Sequence, residues 1–225
     1  MLFLVYLALQ SFIPLGLSAI IQSLSIGTQL AWYFPDNSTI TFYYLLPTEY
    51  VGTSNWEWIG IGFLPSSSSY AMTGADIITI ETSSGQTDDR FASDNGYPSL
   101  DTSNGGKNSL QETQQLIMDT YTVYSWTRQL NTEDNDDLSL QINGQYLTIS
   151  AKGNIAGGDI AQHSSSGTSS DSIVLAYDAS PLTQATVSQN TNGESQSTNT
   201  NNDTTTENSS SSIYISVAFS LGFIF

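Results

Sequence analysis

An antiparallel β-sandwich is the fold that the middle of this 225-residue chain predicts, and three observations predict it. Apolar residues alternate with period two over several short runs. Turn-forming Gly, Asn and Asp separate those runs. Between the two ends, no stretch of ten or more residues carries the 3.6-residue apolar stripe of a helix. Short alternating strands with several short insertions bury their apolar faces by stacking one sheet on another.

Taken in order, "TITFYYLLP" (39–47) puts Ile40, Phe42, Tyr44 and Leu46 on one face. "WEWIGIGFL" (56–64) aligns Trp56 and Trp58 with Gly60 and Gly62; glycine in a strand marks a bend or a close approach to the backbone. The runs "ADIITIE", "LIMDTYTVYSWTRQL", "LSLQI", "QYLTISAKG" and "SIVLAY" follow, the last ending at Tyr177. Asn143-Gly144, between the third and fourth of these, predicts a type I′ hairpin. Met118, in "LIMDTYTV", has the strand spacing of a core methionine.

The ends carry different signals. Residues 1–19 form an apolar run with almost no charge, closing on the small residues Gly16, Ser18 and Ala19, as a secretory signal peptide does. Residues 188–212 are almost entirely Ser, Thr, Asn and Gln, a composition that cannot bury enough apolar surface to order itself and predicts a stalk. The tail, 213–225, is apolar and thirteen residues long, whereas a membrane helix needs roughly 20. Small polar residues followed by such a tail predict attachment of a glycosylphosphatidylinositol anchor between Asn201 and Ser210. The expected arrangement is one domain over 25–180, held at the outer face of the plasma membrane. The sequons at Asn37, Asn202 and Asn208 accord with a glycoprotein.

Composition removes several function classes. Four basic residues against 21 acidic ones give a formal net charge of −17, which repels a phosphate backbone and predicts no nucleic-acid partner. With no cysteine in the chain, neither a disulfide nor a thiolate site is available. The single histidine is too few for copper monooxygenation and supports no catalytic triad. The carboxylates are scattered, and no motif selects a hydrolytic pair. An enzyme in its own right is not expected.

Five motifs occur in order: "WEWIGIGF", "MTGADIITI", "DRFASDNGYPSLDT", "TRQLNTEDNDDLSL" and "YLTISAKGNIAGGDIAQHSSSG". Their order and spacing resemble the DOMON family over about residues 25–180, which implies an all-β, immunoglobulin-like sandwich. One branch of that family holds haem b between a methionine and a histidine. The resemblance places Met72 at the axial methionine, just before Gly74-Ala75-Asp76, and His163 at the axial histidine, in the loop after the "AKG" strand. It also implies a role for Arg128, either fixing the "NTEDNDD" loop by carboxylate pairing or meeting a haem propionate. Trp58, with Trp56 and Trp126, is a candidate pocket wall or plain core.

Residue chemistry stands beside this. A thioether is a soft ligand suited to iron, and Met/His ligation favours the reduced state. No Cys-x-x-Cys-His occurs, so haem would be held without covalent bonds. On chemistry alone, Met72 as core and His163 as a solvated loop residue stay open. Three functions follow as expectations. The first is a tethered haem b electron-transfer domain, with a redox partner that is basic or a membrane cytochrome. The others are a haem-free module for sugar or another small ligand, and a surface coat or adhesion protein.

Overall fold

The computed structural model describes residues 19–68, 72–163 and 167–177; the expected signal peptide, stalk and lipid-anchor tail lie outside them. Thirteen strands follow in order: β1 (Ile20–Ser23), β2 (Gln29–Tyr33), β3 (Thr39–Pro47), β4 (Trp58–Pro65), β5 (Asp76–Glu81), β6 (Thr87–Phe91), β7 (Ser99–Leu100), β8 (Gln111–Ile117), β9 (Tyr121–Gln129), β10 (Gln145–Gly153), β11 (Ile155–Ala156), β12 (Asp159–Ile160) and β13 (Thr168–Val174). They form a five-stranded sheet, β1-β2-β3-β9-β8, and a six-stranded sheet, β13-β10-β4-β5-β6-β7. All pairings in both are antiparallel. β11 and β12 make a separate small hairpin. Among the described residues no helix is long and apolar enough to cross a membrane.

Period two in β3 explains the sandwich. Ile40, Phe42, Tyr44 and Leu46 point inward and meet Ile59, Ile61 and Phe63 of β4 and Ile78 and Ile80 of β5 in one core. Phe42 joins the layers, its ring 5.2 Å from that of Phe63 and 5.4 Å from that of Trp126. The alternate residues of β3, Tyr43 and Leu45, pack on the far side of their sheet with Tyr121 and Val123. β4 is covered on both faces, which is why its sequence is apolar throughout rather than alternating apolar with polar.

Four expectations need correction. The first sheet begins at Ile20, ahead of the expected boundary at 25, because Ile20–Ser23 pair with Gln29–Trp32. "LSLQI" is not a strand: Leu138 and Leu140 donate their N–H groups to Asp76 Oδ2 and the Leu130 carbonyl. Asn143-Gly144 is correspondingly no type I′ hairpin. Gly144 N donates to Gln141 O, Asn143 takes a positive φ of 61° and Gly144 does not, whereas a type I′ turn needs positive φ at both central residues. Met118 falls in the turn after β8 and is only half-buried, against the outer face of the first sheet.

Candidate functional site

The site is built on the outer face of the six-stranded sheet, the side away from the core. In β4, Ile59, Ile61 and Phe63 face inward, so Trp58, Gly60, Gly62 and Leu64 face outward. Leu64 joins Ala75, Ile77, Ala92 and Leu147 in an outer apolar cluster, with Ile149 and Met72 packed against it. Two glycines keep this floor level. A Cβ at Gly62 would stand 2.9 Å from Ile149 Cγ1 and 3.0 Å from Ile77 Cγ1. A Cβ at Gly153 would stand 2.6 Å from Trp58 Nε1, so the missing side chain there lets the indole lie along the sheet. Trp58 is 4 % exposed, and its Nε1–H is buried without an acceptor.

Met72 is fixed by its backbone. Its N–H donates to Asn95 Oδ1 at 3.1 Å, and its carbonyl accepts from Ala75 N at 2.9 Å. Gly74 N donates to Ala92 O, tying this turn to the end of β6. The thioether is therefore carried by a turn stitched to the sheet, half-buried in an apolar cluster.

His163 follows a hairpin, β11–β12, that is anchored to the sheet. Ile155 N donates to Glu57 Oε2 at 2.7 Å, and Asn55 N to Asn154 Oδ1. The hairpin turns at Gly157 and Gly158, with φ of 66° and 87°, values that glycine adopts without the steric cost of a side chain. Asp159 then closes an ion pair with Arg90 Nη2 at 2.8 Å. Arg90 stands directly opposite the outward-facing Ile77, so it is on the same face. Its guanidinium is 2 % exposed and is held by Thr79 Oγ1, Tyr97 Oη, Pro98 O and Asp88. Chain length keeps the half-buried His163 within about 15 Å of Asp159, Cα to Cα.

Arg128 lies elsewhere, and the propionate expectation is corrected here. It sits on the inner side of β9, 0 % exposed, with Nη1 on Asp76 Oδ2 at 2.5 Å and Nη2 on Leu138 O at 3.0 Å. Asp137 Oδ2 is 3.8 Å from Nη2. Every part of the guanidinium faces buried protein, on the opposite side of the sheet from Met72. Trp126 is core, and Trp56 leaves the register of Trp58 to join the inner cluster, stacked on Tyr50 at 4.8 Å. Of the sequence-derived candidates, Met72 and Trp58 share the outer face, and His163 lies four residues beyond Asp159, which pairs with Arg90 on that face.

Sequence reasoning missed Arg90, Tyr97 and Asp159, because an ion pair spanning 69 positions leaves no local pattern. It also missed that Arg128 stands in a buried carboxylate cluster of Asp76, Asp89, Asp101 and Asp137. Burial pushes Asp89 up to about 6 and Asp101 up to about 8, with the neighbouring aspartates adding to both. Asp76 is also raised, by burial first and Asp137 in addition, against the lowering pull of Arg128; Asp136 acts on Asp101 from outside. A carboxyl whose folded pKa lies above its unfolded value near 3.8 stabilises the fold while protonated and stops doing so as pH rises through the folded value. In chelator-containing buffer the thermal midpoint is therefore expected to fall between pH 4 and pH 8. Asp101→Asn should flatten the upper part of that decline; an unchanged slope would remove Asp101 as its source.

The DOMON domain family model matches residues 28–153, more than half of the chain. Among solved structures, the chain is similar to the cytochrome domain of Myriococcum thermophilum cellobiose dehydrogenase, at 14 % identity and a TM-score of 0.47, covering 71 % of this chain and 82 % of that one. It is also similar to the cytochrome b domain of pyranose dehydrogenase from Coprinopsis cinerea, at 12 % identity and a TM-score of 0.46, with the same coverage. No curated protein matches the sequence.

Proposed function

We propose, from the premise that this chain belongs to the DOMON family, that it binds haem b on the outer face of its six-stranded sheet and transfers single electrons. The observation that supports this reading is Met72, held by Asn95 against an apolar outer face, with the hairpin that precedes His163 anchored to the same sheet through Arg90–Asp159. The residues suit the group. Leu64, Ile77, Leu147 and Ile149 offer apolar contact, and the buried Trp58 Nε1–H lacks an acceptor that a carboxylate would supply. Met72 offers a soft thioether and His163 a neutral imidazole, the pairing that raises the potential of haem iron. When bound, the haem supplies an iron that changes oxidation state by one electron. The protein's part is to hold both ligands, exclude water with the apolar floor, and keep Trp58 Nε1–H as a donor.

The setting belongs to the same proposal. The leader, polar stalk and thirteen-residue tail support a domain tethered by lipid at the cell's outer surface, and the net charge of −17 favours a basic surface on the redox partner. Protein purified from secreting cells, or reconstituted with hemin, is expected to show a stoichiometric Soret band and sharp bands on reduction. A chain that takes up no haem by either route leaves the small-ligand module standing in its place. Phosphatidylinositol-specific phospholipase, with nitrous acid as the control for acylated anchors, is expected to release the protein from intact cells. Secretion with the tail still attached would contradict the tether.

A further inference from the structure

The buried carboxylates around Arg128 are more than an ion pair needs. Asp76 opens β5, Asp89 lies on β6, Asp101 starts a 3-10 turn after β7, and Asp137 sits in the loop after β9. Asp76, Asp89 and Asp101 are at most 3 % exposed, and the Asp137 side chain is 1 % exposed. Two of the four, Asp76 and Asp137, reach the Arg128 guanidinium. Burying like charges is costly unless each is paired or neutralised.

Their hydrogen bonds are one-sided. Asp76 spends Oδ2 on Arg128 and Leu138 N, and Asp89 spends Oδ2 on Ser109 N and Oγ. Asp76 Oδ1, Asp89 Oδ1 and both oxygens of Asp101 and Asp137 are buried with no hydrogen-bond partner. Oxygens of Asp76, Asp89 and Asp137 lie within 4.8 Å of one another. Calcium takes about 6–8 oxygen ligands at about 2.3–2.6 Å, whereas magnesium keeps several waters and uses about one or two carboxylates, so a cluster of four carboxylates suits calcium. Asp101 is an independent sign: it is a fourth, fully unpartnered carboxylate, and its strongest charged neighbours are Asp89, Asp137 and Asp76.

We infer that Asp76, Asp89, Asp101 and Asp137 form a binding site for a hard divalent cation of calcium's size, between the sheets and apart from the Met72 face. The division of labour is that of a built site. On Asp76 and Asp89 one oxygen is oriented by Arg128, Leu138 or Ser109 and the other is left to the ion, as outer-shell partners orient ligands elsewhere. A divalent ion would displace the protons that burial holds on these carboxylates and offset their negative charge in their place. It would also add to the contacts that already join β5, β6 and the loop after β9.

The full-length purified chain, stripped with EGTA and titrated with calcium chloride at pH 7.5, tests this. One calcium per chain is expected by calorimetry. At calcium 100-fold above Kd the thermal midpoint should rise by about 5 °C or more, with magnesium far less effective. Asp137→Asn should weaken calcium binding at least about tenfold, while near-ultraviolet circular dichroism confirms the fold. Wild-type protein that shows no saturable calcium heat and no shift in midpoint would overturn the site, whatever the variant does. So would Asp137→Asn and Asp101→Asn both gaining stability with calcium binding unchanged, because the cluster would then hold protons rather than an ion.

Discussion

Arg128→Ala is expected to destabilise the domain by about 3–5 kcal/mol, the cost of leaving a buried charge without its counter-ion, and to lower its thermal midpoint by roughly 10 °C or more. The guanidinium is fully buried, binds Asp76 at 2.5 Å, and holds the Leu138 carbonyl at 3.0 Å. Without it, Asp76 and Asp137 lose their counter-ion and repel each other, with only the Leu138 N–H left on Asp76. Asp76→Ala should cost a similar amount. The double variant should cost clearly less than the two singles together, since each single leaves the partner's charge behind. The penalty should also shrink in acid, where the raised pKa of Asp76 allows it to protonate. Urea unfolding of the four proteins at pH 7.5 and pH 5, with chelator present, measures all of this. A single-variant cost below about 1 kcal/mol would mean that Arg128 is held by packing and not by charge.

The second large effect falls on haem. His163→Ala should weaken haem retention by more than the roughly 10–100-fold that loss of an outer-shell partner costs, because only the thioether remains. Met72→Ala should keep haem on histidine, open one axial position and lower the reduction potential, since a thioether prefers ferrous iron. Asp159→Ala separates positioning from ligation. It removes the ion pair with Arg90 that holds the hairpin on the sheet. Weaker haem binding with an unchanged low-spin spectrum is expected for Asp159→Ala; equal spectra for Met72→Ala and wild type would dismiss Met72 as a ligand.

How much of this the sequence made legible depends on range. β3 was readable because its alternation is local: Ile40 to Leu46 face the core as period two requires. β4 and β5 were readable because both contain long apolar runs. β6, "TDDRF", was not, since three of its five residues are charged, and Asp89 and Arg90 are buried by pairing with residues far along the chain. β1 was hidden because "IIQS" abuts the apolar run of residues 1–19. "LSLQI" carries a strand's alternation without a strand's partner, its N–H groups being claimed by Asp76 and Leu130.

The candidate site divides in the same way. Met72 and His163 were named from motifs, whereas the contacts that fix the Met72 turn and the hairpin before His163, Asn95 and Arg90–Asp159, are contacts in space. Arg128 shows the reverse. Its neighbourhood of acidic residues was visible in "TRQLNTEDNDD", but which side of a sheet it faces is set by strand register, and that register puts it inside.

The central claim is that one methionine and the only histidine meet at a single iron. Near-infrared magnetic circular dichroism of the haem-loaded ferric protein reads the two axial ligands directly. The account predicts six-coordinate, low-spin iron with methionine and histidine ligation, and loss of the methionine signature in Met72→Ala but not in Met118→Ala. High-spin iron in the wild type, or a methionine signature that survives Met72→Ala, would contradict it.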